Sequence, residues 1–281
     1  TARSCFSMTE PDVAGSDPTL IQTSAVEEGD EWVINGHKWF TSGAEGADFA
    51  IVIARTDPDA EIPQARNSAF IVPTNTPGFE IIRDVETMGG RHNHPEIKYT
   101  DVRVPKTHLL GERGGGHKLG QVRLGPARLA HCMRWLGQIE MALEMLVDRA
   151  QKRFAHGSYL SEKQSIQWMM SDSAMELYAS KLMVLHAAYK IEQGLEFKQE
   201  VSMAKHHVAN TLWRVIDRAM QVHGALGYST DTPLAGMMQQ ARWARLADGA
   251  DEVHQMRIAE LLMRAYNEDG SINQAVGGLP L

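Results

Sequence analysis

Three carboxylates surround one glycine near the C-terminal end of the chain. Residues 246–254 contain Asp248, Gly249, Asp251 and Glu252, at a point where one helical pattern stops and another starts. A carboxylate can act as a general base when it is within reach of the proton it removes. The run also fits helix punctuation, because glycine ends helices and acids stabilise the first turn of a helix. Two interpretations therefore stay open, proton abstraction by Asp248 and a purely structural role.

Two polar loops in the first half of the chain are further candidates for ligand binding. Residues 8–18 combine hydroxyls and small residues, and their backbone amides could hold a phosphate or a polar edge. Residues 39–43 place Trp39 and Phe40 beside the hydroxyl of Ser42. Each loop could instead have a purely structural role: the first could be a turn, and the aromatic residues of the second could pack in the core.

The breaks between the predicted helices carry unusual residues. Arg153 and Gly157 follow the first long helix, and Gly224 and Gly227 follow Gln221 after the third. Glycines would allow the backbone of a ligand to approach closely, although they also serve as helix caps. A pair of histidines at positions 92 and 94 lacks a third ligand at suitable spacing, so no metal site is predicted.

The overall composition excludes several classes of protein. The chain has 281 residues, 43% of them hydrophobic and 22% charged, with a net charge of −7. Such an acidic balance argues against a surface for nucleic acid or anionic lipid. Cys5 and Cys132 lie far apart and indicate no disulfide framework, which suits a reducing compartment. No apolar run approaches the roughly 20 residues of a membrane span.

Short apolar runs separated by turn residues dominate the chain up to Pro105. The pattern predicts strands over residues 49–54, 69–73, 79–82 and 97–104. Asn35-Gly36 lies between two further apolar stretches and predicts a tight hairpin turn. Closely spaced strands without helical periodicity favour an antiparallel barrel or sandwich.

Helical periodicity begins after a glycine-rich stretch at residues 111–116, which predicts a flexible junction. Apolar residues then recur every three or four positions, as in amphipathic helices. We therefore expect an α+β protein, with an antiparallel β-barrel or sandwich domain over residues 1–115 and a C-terminal helical bundle over residues 116–281. The predicted helices cover residues 129–150, 166–191, 201–222, 234–246 and 251–266.

Taken in order, these motifs resemble the acyl-CoA dehydrogenase family. The resemblance covers essentially the whole chain, and the family's N-terminal helical domain would precede the strand that begins near Ser4. The motifs are Thr9-Glu10-Pro11 with Gly15-Ser16-Asp17, Asn35-Gly36-His37-Lys38-Trp39 before Thr41-Ser42-Gly43, Gly89-Gly90-Arg91 before Val102-Arg103-Val104-Pro105, Arg153 with Gly157, Gln221 with Gly224 and Gly227, and Asp248-Gly249.

The resemblance implies FAD as the cofactor, held in part by the β domain. Met8 and Thr9 would contact the pyrimidine side of the flavin. Gly15 and Ser16 would follow at the pyrophosphate and the acyl-CoA. The resemblance places Phe40 where the family usually has a tryptophan against the isoalloxazine, and Ser42 where a threonine meets the hydride-accepting nitrogen.

The resemblance also implies that FAD is shared between subunits, and hence a homodimer or homotetramer. Arg153 would reach the pyrophosphate of a neighbouring subunit, with His156 in place of the usual phenylalanine before Gly157. Gln221, Gly224 and Gly227 resemble the strand-like loop that holds the adenine half across the same interface.

For the reaction, the resemblance implies α,β-dehydrogenation of an acyl-CoA thioester, with Asp248 where most members have a glutamate base. The other position of that base corresponds to Ala127, which cannot serve. Arg128, Gly249 and Ser16 would contact the substrate, and an electron-transferring flavoprotein would accept the electrons. Fatty acid β-oxidation implies a cytoplasmic location in a bacterium and a mitochondrial or peroxisomal one in a eukaryote.

Three other functions stay open. Nitroalkane-oxidising relatives also use an aspartate base, and acyl-CoA oxidases let oxygen reach the reduced flavin. A flavin-bearing nucleic-acid-binding protein is the alternative from another class, which the acidic balance disfavours.

Overall fold

The computed structural model describes residues 2–277 and, for Gln274, the backbone alone. The chain forms two compact units, Thr1–Arg123 and Leu124–Leu281. The first is rich in strands and the second is helical, which confirms the expected fold class. The domain boundary at residues 115/116 stays a prediction.

A sheet of eight strands forms the first unit, because β-branched and aromatic residues are frequent in its short apolar runs. The strand order is β6-β7-β3-β2-β4-β5-β8, and β1 pairs with β4. The strands are β1 (Ser4–Ser7), β2 (Ser24–Glu28), β3 (Glu31–Lys38), β4 (Phe49–Arg55), β5 (Asn67–Pro73), β6 (Phe79–Asp84), β7 (Pro95–Pro105) and β8 (Leu109–Leu110).

Two features of this sheet differ from the sequence-based expectation. The hairpin turn predicted at Asn35-Gly36 is wrong: β3 continues through the pair, which forms an irregularity opposite β7, and the chain reverses at Gly29 instead. The sheet is also not purely antiparallel, because β1 runs parallel to β4. The β2–β3 hairpin supplies the long connection that a parallel pair requires.

The glycine-rich stretch before the first long helix is packed against the sheet and is not a loose linker. Gly114 has a φ of +77° and donates its N–H to the Ser68 hydroxyl at 2.8 Å. A Cβ on Gly116 would lie 2.7 Å from the Ser68 carbonyl carbon. The glycines are therefore needed for close backbone approach.

In the described residues, helices α2 to α6 lie wholly within the second unit, whereas α1 begins eight residues before that unit starts at Leu124. The core of this unit joins apolar residues of α1, α2, α3 and α5, with Ile139, Leu146, Leu212 and Ile216 fully buried. No described helix is long and apolar enough to cross a membrane. The helices are α1 (Gly116–Lys152), α2 (Gln164–Glu192), α3 (Lys198–His223), α4 (Ala225–Tyr228), α5 (Leu234–Ala244) and α6 (Asp251–Asp269).

The predicted second and third helices are confirmed by α2 and α3, while α1 begins thirteen residues before the predicted start at residue 129. Its first turns contain Gly120, Gly125 and Pro126, which are poor helix formers and hide the helical periodicity.

Candidate active site

Asp248 lies on a tight bend between α5 and α6. α5 ends at Ala244, so Gly249 belongs to the bend and does not itself end the helix. Asp248 and Gly249 have φ angles of +52° and +104°. A non-glycine residue in this region costs about 1–3 kcal/mol, so its neighbours must hold it there. Such strain is common at functional sites.

Two cationic side chains, the half-buried Arg128 and the buried Lys205, hold the bend through its backbone. Arg128 on α1 donates from Nε to the carbonyl oxygen of Asp248 at 2.8 Å. Lys205 on α3 donates from Nζ to the next carbonyl, that of Gly249, at 2.6 Å. Two consecutive carbonyl oxygens are thus fixed by charged side chains from different helices. The sequence-predicted residues Asp248, Gly249 and Arg128 are brought together by this arrangement.

The carboxylate of Asp248 remains partly accessible, with 23% of its side chain exposed. Its Oδ2 lies 3.2 Å from Nε2 of His131 on α1. A partly exposed carboxylate on a fixed backbone is a candidate for a general base.

Asp251 has a different environment and a structural role. It is 3% exposed, and its Oδ2 accepts hydrogen bonds from Arg245 Nε at 2.7 Å and Asn210 Nδ2 at 3.0 Å. Burial alone would raise the pKa of Asp251, but these hydrogen bonds outweigh it and lower the pKa. Asp251 and the exposed Glu252 occupy the first turn of α6, as expected from the sequence.

The ring of His254 packs against Gly249 in the bend. His254 is 2% exposed, and burial lowers its pKa to about 4, so the ring is neutral at pH 7. A Cβ built on Gly249 would lie 2.9 Å from the Nε2 atom of this ring. The bend therefore needs glycine at position 249 for space as well as for conformation.

We expect Gly249→Ala to lower the free energy of unfolding by about 1–3 kcal/mol, because alanine is strained at this φ and meets the His254 ring. Urea unfolding would measure the change. Gly236→Ala in α5 is the matched control, since a Cβ there meets no atom within 4 Å and alanine favours a helix. Equal stability of the two variants would contradict the assigned strain.

Lys205 makes stability depend on pH. Burial lowers its pKa to about 8, whereas an unfolded lysine titrates near about 10.4. Between these values the unfolded state binds more protons, so the contribution of Lys205 to stability rises with pH. The cost of burying its charge is fully present below about pH 8.

We expect the free energy of unfolding of the wild type to increase relative to that of Lys205→Met as the pH rises from about 8 to about 10. Urea unfolding of both proteins at several pH values measures the difference. Other buried titrating groups, such as Lys38 and Cys5, are common to both proteins and cancel. Parallel pH curves for the two proteins would show that Lys205 titrates normally.

The first unit builds the polar loop of residues 8–18 on a buried ion pair. Lys38 is fully buried, and its Nζ donates to Glu10 Oε1 at 2.9 Å and to the Met8 carbonyl at 2.7 Å. Thr9 then joins this loop to the next one, since its hydroxyl donates to the Trp39 carbonyl at 2.8 Å and its carbonyl accepts from the Trp39 amide at 3.0 Å. Met8 and Thr9 are thus held rigidly beside Trp39.

Phe40 and Ser42 present an aromatic ring and a hydroxyl on the second loop. Phe40 is 41% exposed and has a φ of +48°, a strained conformation for a large residue. Ser42 is exposed, and its Oγ lies 2.7 Å from His94 Nδ1. Gly15 and Ser16 are exposed on the first loop. The unit therefore offers an aromatic face with adjacent polar groups.

Arg153 and His156 belong to a small hairpin that follows α1. β9 (Phe154–Ala155) and β10 (Ser158–Tyr159) pair across a two-residue turn, with φ angles of +51° at His156 and +79° at Gly157. Positive φ at both positions is typical of the tight turns that join strands. Both Arg153 and His156 are exposed.

The strand-like loop expected for residues 221–228 is wrong. Gln221 lies in the last turn of α3, Gly224 caps this helix with a φ of +63°, and Gly227 is in the short helix α4. A Cβ on Gly227 would lie 2.7 Å from the Met220 carbonyl oxygen, so this glycine serves helix packing. Gln221 and Gly224 remain exposed.

Three residues beside Asp248 are absent from the sequence-based site. The sequence pattern could have identified Lys205, because a lone lysine lies among the apolar positions of α3 between Ala204 and Val208. No sequence pattern identifies His131 and His254 as site residues, since histidine is common on partly buried helix faces. Within residues 2–277, no group of three His, Cys, Asp or Glu side chains is arranged to hold a metal ion.

Comparisons with known proteins agree with this two-part architecture. The model of the acyl-CoA dehydrogenase middle domain matches residues 5–102, and that of the acyl-CoA dehydrogenase C-terminal domain matches residues 114–263. A probable acyl-CoA dehydrogenase of Mycobacterium tuberculosis, FadE2, is 46% identical over 263 residues, which are 92% of this chain and 64% of that relative. The chain thus spans less than two thirds of its length.

Solved structures show the same fold. A putative acyl-CoA dehydrogenase from Mycobacterium abscessus has a TM-score of 0.90 and 39% identity, covering 94% of this chain and 67% of the other. Butyryl-CoA dehydrogenase from Megasphaera elsdenii has a TM-score of 0.85 and 32% identity, covering 93% and 68%. Because both family models match in order and together cover most of the sequence, this chain belongs to the acyl-CoA dehydrogenase family.

Proposed function

We propose that this protein catalyses the FAD-dependent α,β-dehydrogenation of an acyl-CoA thioester, with Asp248 as the base that removes the α proton. The bend that carries Asp248 is the main support. The strained backbone of the bend is fixed by the half-buried Arg128 and the buried Lys205, while 23% of the Asp248 side chain stays exposed. Strain that the surrounding structure maintains in this way is expected where a side chain must be aimed at a ligand.

The residues of the first unit fit a flavin. The exposed ring of Phe40 and the hydroxyl of Ser42 both lie next to His94, and Met8 and Thr9 are fixed by Lys38 and Trp39. A planar ligand with polar edges needs both an apolar face and a few placed hydrogen-bonding groups. When bound, FAD would supply the acceptor for the β hydride of the substrate.

Gly15, Ser16 and Arg153 would contact the pyrophosphate of FAD, and Gln221 and Gly224 would contact its adenine half. Their support is exposure together with the family resemblance. His156 would orient the hairpin that carries Arg153, and Gly227 would keep α4 against the end of α3.

The short side chain of aspartate limits the distance over which Asp248 could reach a proton. Its side chain is one methylene shorter than the glutamate of most family members, and a general base must come within about 2.6–3.2 Å of the atom that carries the proton. The left-handed backbone of Asp248 changes the direction of the side chain, and Arg128 and Lys205 keep it there. Arg128 would also attract the anionic substrate.

Oligomeric state and redox partner belong to the same proposal. α2 exposes a row of large apolar residues that a partner subunit would cover, which supports a homodimer or homotetramer. An electron-transferring flavoprotein is the proposed acceptor. The exposed residues of this row are Trp168, Met175, Tyr178, Leu182, Leu185 and Tyr189.

Anaerobic titration of the full-length, FAD-loaded protein with acyl-CoAs of increasing chain length tests the function. We expect bleaching of the flavin absorbance by at least one chain length, and formation of the 2-enoyl-CoA in equal amount. Peroxide production in air would indicate an oxidase instead, and reduction by nitroalkanes alone would indicate a nitroalkane oxidase. Absence of reduction by every acyl-CoA would overturn the proposal.

A further inference from the structure

The imidazole of His131 is fixed in place by two tryptophans. Its ring stacks on Trp135, with centroids 5.4 Å apart and planes inclined by 24°. Trp243 packs edge-on from α5, with a centroid distance of 5.3 Å and an angle of 68°. Because Trp135 is 3% exposed and belongs to the core of the helical unit, the plane of the His131 ring is well determined.

Each nitrogen atom of the His131 ring lies close to one side chain, Arg134 or Asp248. Nδ1 lies 2.8 Å from Nη2 of Arg134, one turn further along α1. Nε2 lies 3.2 Å from Oδ2 of Asp248. A guanidinium has donors only, so Nδ1 must accept from Arg134 and must therefore be unprotonated. The proton of the neutral ring is then on Nε2, on the side of Asp248.

We propose that His131 is a positioning residue for Asp248: Arg134 selects its Nε2–H tautomer, which donates a hydrogen bond to Oδ2 of the carboxylate. This inference rests on the proposed role of Asp248 as the base. The bond would hold the carboxylate group in one orientation. It would also favour the ionised carboxylate, the only form that can remove a proton.

Several other charged or titratable groups lie around His131 and Asp248. Arg128 and Lys205 bind the carbonyls of the bend, whereas His131 lies beside the carboxylate oxygen Oδ2 of Asp248. These groups are Arg128 on α1, Lys205 on α3, and Asp251 and His254 on α6.

Nitrogen NMR of the full-length, FAD-loaded protein with 15N-labelled histidine tests the tautomer without any substrate. The His131 signals are identified by their loss in His131→Phe. We expect a bare Nδ1 and a protonated Nε2, and a shift of the Nδ1 signal in Arg134→Met. Arg257→Met, which removes an exposed arginine of α6, is the control that should leave the spectrum unchanged. A protonated Nδ1 in the wild type would overturn the proposal.

Kinetics then test the positioning role. His131→Phe keeps an aromatic ring between the tryptophans but has no donor, and we expect flavin reduction by acyl-CoA to slow on the order of 10-fold to 100-fold, as for loss of a hydrogen bond to a charged group. Substrate affinity should stay unchanged, and the acid limb of the pH–rate profile should move to higher pH. His131→Gln can still donate and should recover part of the rate.

These outcomes separate the inference from the proposed function. If the wild type is reduced by an acyl-CoA and His131→Phe shows the same rate and pH profile, the positioning role is wrong and the function stands. If no acyl-CoA reduces the wild type, the function and the positioning role both fail. Should His131→Phe not fold, Arg134→Met, which removes the group that selects the tautomer, provides the comparison of rate and pH profile instead.

Discussion

Replacing Asp248 with asparagine should slow flavin reduction by acyl-CoA at least about 10²-fold, the usual contribution of a general base. The amide cannot take up the α proton at neutral pH. Asparagine tolerates the left-handed backbone as well as aspartate does, and the bonds from Arg128 and Lys205 reach backbone carbonyls that the substitution leaves in place. Binding of FAD and thermal stability should therefore remain unchanged.

Stopped-flow absorbance under anaerobic conditions measures this rate. Glu252→Gln is the matched control, because it makes the same acid-to-amide change on an exposed first-turn residue four positions away. We expect the control to reduce its flavin at the rate of the wild type. If the Asp248→Asn variant did so as well, the assignment of the base would be wrong.

The second large effect is expected in the first unit, at the Lys38–Glu10 ion pair. The side chains of Lys38 and Glu10 are 0% and 5% exposed. Burial lowers the pKa of Lys38 to about 8. For Glu10, burial opposes ionisation, but Lys38 and the amides of Gln22 and Thr23 outweigh it and lower the pKa. The pair is therefore ionised at pH 7 and depends on both partners.

Lys38→Met should lower the free energy of unfolding by about 3–5 kcal/mol, because it leaves the Glu10 carboxylate buried without its cation. The change also removes the bond to the Met8 carbonyl, so affinity for FAD should fall. Urea unfolding and flavin release on dilution measure the two effects.

Two further variants isolate the cause. The double variant Lys38→Met, Glu10→Gln should regain part of the lost stability, since no buried charge is left unpaired. Lys106→Met breaks an ion pair with Glu27 that is exposed on the surface, and it should change stability little. A loss of the same size in this surface variant would show that ion-pair burial is not the cause.

Regular patterns explain what could be read from the sequence alone. Periodicities of two and of three to four residues are local properties, so they revealed the strands at β4 to β7 and the helices α2 and α3. Local turn chemistry was less reliable, as Asn35-Gly36 shows. That pair suits a hairpin turn, but pairing with β7 on the other side of the strand extends β3 through it.

The sequence by itself determined that Asp248 and Gly249 form a break between helices, because glycine and clustered acids disfavour a continuous helix there. Only the tertiary structure distinguished the three acids of that run. Asp251 is buried against Arg245 and Asn210, whereas the carboxylate of Asp248 stays partly exposed next to His131. Arg128, which binds the Asp248 carbonyl, is 120 positions away in the sequence, and such proximity results from helix packing, which no local pattern encodes.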